Sequence, residues 1–321
     1  MCLRNVARAC ALLGGIGAAA VACAQDAGHS WVLTAGGEID DESGYRLDAG
    51  AAWIPVEPTA VSALVGRSDS STDFGDFTST VASLSLDHSF DPIGVTLEAR
   101  WRDDAEFLRA NTWAGSLYFK RGAWRVALKG ETRSTDFDPQ TFENVVITRQ
   151  GVPILVSATS TCSLDNTGFG AVASYVGSLW SARLSATEYD YSDADCEFTN
   201  FSPPSAGRFL RLRPNLLPLI APRLFEFQRL QRSSVTREST FLDSTLSAGL
   251  GLRDGPRTWE LDYFHDREQF QELQSDTLIA ALTFPVGARS DLEVRLGVTE
   301  SDVVGTVGFA GFTVFAYLGG P

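Results

Sequence analysis

Val95-Thr96-Leu97-Glu98-Ala99-Arg100-Trp101-Arg102 places an apolar residue at every odd position and a polar or charged one at every even position. Successive side chains on a β-strand face opposite sides, so this octapeptide predicts a strand with one apolar face and one charged face. The same period returns in Tyr45–Trp53, in Trp124–Glu131 and in Leu292–Thr299. Reading outward from these stretches gives about fourteen strands: 30–39, 45–53, 59–68, 78–90, 94–102, 112–120, 124–134, 167–176, 179–190, 240–252, 258–270, 275–284, 291–300 and 305–318. Runs 59–68 and 305–318 alternate poorly, so twelve to sixteen strands fit the pattern.

The connections are of two kinds. Pro55–Pro58, Asp91–Ile93, Arg121–Ala123, Gly177-Ser178, Asp254–Arg257 and Pro285–Ser290 are short and rich in Gly, Pro or Asp, as tight turns require. Between the other strand ends lie two long connections, 135–166 and 191–239. Short turns at one end and long loops at the other are the layout of a transmembrane up-and-down barrel. The aromatics agree. Trp31, Trp53, Phe90, Phe119, Trp124, Tyr175, Trp180, Trp259 and Phe284 fall at the short-turn ends with outward parity. Tyr45, Trp101, Trp113 and Phe169 fall at the opposite ends, also outward. Amphipathic rings gather at the two headgroup levels of a bilayer, and a β-sandwich has no reason to align them.

The N-terminus sets the compartment. Arg4 and Arg8 precede an apolar run, Ala9–Ala24, that ends in Ala22-Cys23-Ala24. This predicts a cleaved signal peptide, residues 1–24, and a single domain, 25–321. Ala20-Val21-Ala22-Cys23 offers an alternative cut that would leave Cys23 lipidated. No later stretch is apolar over the ~18 residues a membrane helix needs. The chain has a formal net charge of −14. Such an acidic chain is a poor nucleic-acid ligand, because that affinity rests on Lys and Arg neutralising phosphates. Cys162 and Cys196 are the cysteines beyond the signal region, and in an exported protein they predict a disulfide stapling the two long loops.

Taken together, residues 30–318 resemble the general class of Gram-negative outer-membrane β-barrels, porins included. The resemblance rests on pattern rather than on a signature motif. It departs from the class at the end of the chain, which reads Tyr317-Leu318-Gly319-Gly320-Pro321 instead of closing on Phe. The resemblance implies an all-β antiparallel barrel in the outer membrane with both termini periplasmic. It also implies contact with lipid and lipopolysaccharide, and insertion by the barrel assembly machinery.

Residues of inward parity are the candidate site: Arg46, Asp48, Glu98, Arg100, Arg102, Arg125, Lys129, Glu131, Arg133, Arg183, Asp243, Glu260, Asp262, Glu293 and Arg295. A wall of mixed charge is costly to pack dry. It predicts either a water-filled lumen that passes small polar or charged solutes, or a closed barrel with an internal salt-bridge network. The second long loop carries Arg208, Arg211, Arg213, Arg223, Arg229 and Arg232 among many apolar residues. It is expected to constrict the lumen, to meet lipopolysaccharide phosphates, or to pack on its neighbours. The acidic tips Asp40-Asp41-Glu42 and Asp69, Asp73, Asp76 read as solvated loops rather than a Ca²⁺ site. No G-x-S-x-G surrounds a Ser, and His29, His88 and His265 have no nucleophile at motif spacing. The expectation is a channel without cofactor or metal. A non-conducting envelope or export-complex barrel is the alternative, and a barrel hydrolase the third reading.

Overall fold

The computed structural model describes residues 31–41, 44–56, 58–72, 75–105, 108–149, 152–192, 195–202, 241–269, 274–302 and 305–318. The expected signal peptide with Cys23, His29, and the arginines of the second long loop lie outside the described residues.

The strands are β1 (Trp31–Asp40), β2 (Tyr45–Val56), β3 (Thr59–Thr72), β4 (Gly75–Ser89), β5 (Ile93–Asp104), β6 (Leu108–Arg121), β7 (Trp124–Arg149), β8 (Val152–Val176), β9 (Trp180–Tyr191), β10 (Asp195–Ser202), β11 (Leu242–Asp254), β12 (Arg257–Glu268), β13 (Gln274–Gly287), β14 (Ser290–Ser301) and β15 (Gly305–Leu318). Every consecutive pair from β1 to β9 and from β11 to β15 is antiparallel. β9 pairs with β11 and β15 with β1, which closes a fourteen-stranded barrel. Closure removes the sheet edges, so each strand finds both its hydrogen-bonding neighbours without water.

The registers also fix the slope. Paired residues followed once round run from Cys162 through Phe137, Leu108, Asp104, Ser79, Ser68, Arg46 and Glu38. They continue through Gly311, Arg295, Ala281, Glu260, Gly251 and Ser181 to Val176. The circuit returns to β8 fourteen residues further along, at 176 instead of 162. Strands with that stagger tilt by about 40° and enclose a backbone diameter of about 25 Å.

Once that slope is allowed for, the nine outward aromatics at the short turns lie within about 10 Å of one level. Tyr45, Trp101, Trp113 and Phe169 form a second level, and the outer edges of the two are about 25 Å apart. Between the two levels every outward residue is apolar or Gly except Tyr263. Outward charges begin at the second level, with Arg67 and with Glu188 opposite Phe169, and continue above it with Asp69, Asp103, Arg109 and Arg267. Leu128, Leu250 and Leu296 are more than 60% exposed, which suits lipid as the surrounding solvent. Trp31 stacks on Trp53 and Tyr175 on Trp180, so the lower girdle is continuous across strands.

Two features differ from expectation. Residues 135–166 are not a loop: β7 and β8 run on as a paired ribbon to Arg149 and Val152. β10 lies against β8 just where β9 ends, and in the same direction. Tyr191 faces Asn166 and Asp195 faces Ser163, so four residues on one side oppose three on the other. β10 therefore takes up the edge of β8 that β9 leaves, and at the end of β9 Ser192 donates to the Asp165 carbonyl. The result is a three-stranded wall standing above the rim. The ribbon alternates weakly in sequence because it leaves the bilayer and no longer separates lipid from lumen.

Cys162 and Cys196 sit directly opposite each other in this wall and are bonded, with a sequence separation of 34. Closing a loop of that length constrains the unfolded chain by about 4 kcal/mol. Cys162→Ser with Cys196→Ser is expected to speed amide exchange at Ser157–Ser163 and Asp195–Thr199, with β1–β6 and β11–β15 still protected. Equal protection with and without the bond would mean that the staple does not hold the wall.

Inward glycines make room for rings. Gly94 pairs with Tyr118 and Gly297 with Phe309, and in each case a Cβ would meet the ring itself. Tyr118 cannot swing away, because Arg125 stacks on its face at 3.6 Å and its hydroxyl donates to Asp87 at 3.1 Å. Gly94→Ala should therefore cost about 1–3 kcal/mol. The temperature at which the folded band converts to the unfolded one on a denaturing gel reports the loss.

Candidate functional site

The inward face of the barrel is layered. Leu108, Ala110, Phe137, Cys162, Leu164 and Phe241 form an apolar collar near the wall end. Val32, Ala52, Ile54, Ala60 and Phe315, with Tyr118, Ala127 and Val172, form another at the short-turn end. Between the collars lies a belt of charge.

Fourteen of the fifteen residues expected to line the lumen occupy inward positions. They are Arg46 and Asp48 on β2, Glu98, Arg100 and Arg102 on β5, and Arg125, Lys129, Glu131 and Arg133 on β7. Arg183 stands on β9, Glu260 and Asp262 on β12, and Glu293 and Arg295 on β14. All of them are buried or half-buried. Asp243 departs from the set. A bulge between Leu242 and Ser244 shifts its parity, and its carboxylate meets the outward Arg267 at 3.3 Å. Alternation cannot foresee this, since one extra residue exchanges the two faces. Glu38, Asp87, Asp104 and Asp266 belong to the inward face as well. For Glu38, Asp87 and Asp266, parity on strands already assigned was the signal that could have found them; Asp104 lies two residues beyond the expected run 94–102, on the further pairing that carries β5 to Asp104.

Most inward cations pair along their own strand. Arg46 meets Asp48 at 3.9 Å, Arg100 meets Glu98 at 2.9 Å and Arg102 meets Asp104 at 2.8 Å. Arg133 meets Glu131 at 4.0 Å, and Arg295 meets Glu293 at 3.7 Å. Residues two apart share a face of the strand, so these pairs lie flat on the wall and do not reach across the barrel. Arg125 is different: it passes Tyr118 to reach Asp87 at 3.7 Å, spanning from β7 to β4. Arg46 lies over Gly66, its Nη2 3.1 Å from where a Cβ would stand. Arg133 donates to Thr112 at 3.1 Å.

Exposure separates the belt into two kinds. Arg46 and Asp48 are buried, and so are Arg102 and Asp104. The side chains of Arg100 and Glu98 are 21% and 15% exposed. Water therefore reaches the middle of β5 more than β2 or the upper end of β5.

The two sides of the belt differ in sign. From β5 to β9 the inward face carries Arg100, Arg102, Arg125, Lys129, Arg133 and Arg183 against Glu98, Asp104 and Glu131. From β11 round to β2 it carries Glu260, Asp262, Asp266, Glu268, Asp291, Glu293, Glu38 and Asp48 against Arg253, Arg295 and Arg46. A basic wall thus faces an acidic one, which sets a field across the lumen.

The remaining candidates fall elsewhere. Asp40 accepts from the Gly44 amide at 2.7 Å, beside the start of β2, and Asp41 accepts from the Gly308 amide at 3.2 Å, which ties the end of β1 to β15. Asp69 takes the Arg67 fork at 3.0 and 3.2 Å. Glu42 and Asp73 lie outside the described residues, as does the side chain of Asp76. Among the described residues, no group of three His, Cys, Asp or Glu is placed to hold a metal. His88 bonds Thr59 at 2.7 Å in the lower girdle. His265 turns outward to Asp276 at 3.0 Å, away from the inward Asp262 and Asp266.

No family model matches the sequence, and no curated relative does. Solved structures match the fold. The "CymD monoaromatic hydrocarbon channel" superposes with a TM-score of 0.56 at 10% identity, over 98% of this chain and 93% of that one. The "KdgM porin" reaches 0.40 at 8% identity, over 88% and 97% of the two chains. The "Anion-selective porin from Comamonas acidovorans" reaches 0.41 at 8% identity, over 90% and 98%. The first likeness shows a shared barrel fold. The other two are too distant to add to it.

Proposed function

We propose that this chain is an outer-membrane channel through which small polar or charged solutes diffuse. The observation that carries the reading is the layout of the charge belt. Among the described residues, five close inward ion pairs run along single strands, so they coat the wall rather than plug the bore. A backbone diameter of about 25 Å leaves roughly 10 Å between opposed long side chains. Basic and acidic walls facing each other across that gap orient dipolar solutes and select among ions. The CymD barrel, whose fold this chain shares, is itself a channel, which is consistent with the proposal.

In this reading both termini and the short turns face the periplasm, and the wall of β7, β8 and β10 stands on the cell surface among lipopolysaccharide. The orientation follows the pattern of short periplasmic turns and longer external loops. Insertion would be the task of the barrel assembly machinery.

The test is single-channel recording of the purified, folded protein in a planar bilayer. Discrete conductance steps that scale with KCl concentration are expected. Failure to conduct at any voltage sinks the channel. The second reading, a non-conducting envelope or export-complex barrel, draws on one feature: a disulfide-stapled wall above the rim is more than a diffusion pore needs. Cross-linking of that wall to a partner, without conductance, would favour it.

A further inference from the structure

Arg125 is held differently from the cations around it. Arg46, Arg100, Arg102, Arg133 and Arg295 each meet a carboxylate two residues away on their own strand. Arg125, on β7, lies with its Cζ 3.6 Å from the centre of the Tyr118 ring on β6. Its Nη2 points on toward Asp87 of β4 and stops 3.7 Å from Oδ2, beyond hydrogen-bonding distance. The guanidinium thus occupies a place whose floor is an aromatic face and whose edge is a carboxylate.

That place is built by β4, β5 and β6, without help from Arg125. Asp87 Oδ1 accepts from the Tyr118 hydroxyl at 3.1 Å, and Oδ2 accepts from the Thr96 hydroxyl at 2.7 Å. Both carboxylate oxygens are therefore aimed by neutral donors. Gly94 lies under the Tyr118 ring, where a Cβ would collide with it, and the ring is 4% exposed. The setting is apolar. Asp87 pairs in register with Ala60 of the lower collar, and Tyr118 packs with Ala127 and Val172. Asp87 still opens on the lumen. Its side chain is 36% exposed, against 0–17% for the carboxylates of the five along-strand pairs.

We infer that Tyr118 and Asp87 form a subsite for organic cations at the short-turn end of the lumen, and that Arg125 is its tethered occupant. The guanidinium or alkylammonium group of a passing solute takes the place by exchange with Arg125. The role in passage rests on the channel reading; the site itself rests on the ring, the carboxylate and the guanidinium that already fills the space between them. The chemistry sets the class of ligand. A weakly hydrated, delocalised or alkylated cation gains from a ring face, whereas Na⁺ or Ca²⁺ asks for a shell of oxygens. A tethered group competes as though present at an effective concentration on the order of millimolar or above, so a free cation displaces it only at similar levels. Removing the tethered group leaves the ring and the carboxylate standing, and the site then takes the free cation more tightly.

The probe is guanidinium chloride at low millimolar concentration, with KCl at equal ionic strength as the reference. A ligand that binds the folded state raises the temperature at which the folded band converts to the unfolded one, whether or not the barrel conducts. Arg125→Ala is expected to be stabilised saturably by guanidinium, at concentrations about tenfold below those that act on the wild type. Current through Arg125→Ala in a planar bilayer should fall over the same range. Asp87→Asn added to Arg125→Ala should abolish both effects. Arg100→Ala, which uncovers Glu98 instead, should respond no more than the wild type. Arg125→Gln stands in if the Ala variant yields no heat-modifiable form. A folded Arg125 variant that guanidinium stabilises no better than KCl overturns the subsite, as does a response that survives Asp87→Asn. An equal response in Arg100→Ala overturns the part given to the ring. Stabilisation without conductance in any variant sinks the channel and leaves the subsite; conductance with no guanidinium response does the reverse.

Discussion

Leu97→Arg will fail to reach the folded, heat-modifiable form, whereas Thr96→Arg, one residue earlier, will reach it. Leu97 faces outward near the middle of the apolar band and is 53% exposed to what surrounds the barrel. Its cross-strand partners are Leu86 and Gly115, with no charge or water-bound group beside them. A guanidinium at that depth costs about 2–4 kcal/mol in a barrel, and the side chain is too far from either headgroup level to escape fully. Thr96 faces the lumen, where its hydroxyl donates to Asp87 at 2.7 Å. An arginine there meets a carboxylate and water instead of hydrocarbon. The measurement is the fraction of membrane-inserted protein that shifts on heating before electrophoresis. If the two variants shift alike, the assignment of faces on β5 is wrong, and with it the lumen.

Glu260→Gln, Asp262→Asn and Glu293→Gln together will move the zero-current potential under a KCl gradient toward anion preference. These residues stand on β12 and β14, in the acidic wall. The basic wall from β5 to β9 is untouched, so the field across the lumen loses much of one side. Arg100→Gln with Arg133→Gln should shift the potential the other way. Both shifts should be several-fold in permeability ratio at ~0.1 M salt and nearly vanish at 1 M, where the screening length falls from about 10 Å to about 3 Å. Equal shifts at both salt concentrations would point to changes in bore size instead of field. No shift in either variant would mean that permeating ions do not pass the belt.

The legible part of the candidate site follows from period two. Lipid outside and charge inside impose opposite demands on alternate residues, so Glu98, Arg100 and Arg102 could be placed inward from β5 alone. The weak runs had a physical cause. β3 puts Ala60, Ser62, Leu64 and Gly66 inward, because Ala60 joins the lower collar and Gly66 must pass beneath Arg46. Both faces of β3 are then small or apolar, and the contrast fades. Asp243 was misread because a bulge is a property of the paired backbone.

By itself the sequence determined the barrel, its strands, the two aromatic levels and the wall's disulfide, since each is a local pattern set by what a residue faces or by chemistry that cysteine carries alone. Closure at fourteen strands, the stagger of fourteen residues and the rise of β7, β8 and β10 above the rim depended on pairing between distant segments. So did the sorting of cations into paired and unpaired. Lys129 and Arg183 read no differently from their neighbours along the chain; only the ladder sets them on either side of β8, whose Gly170 lies under the Lys129 side chain.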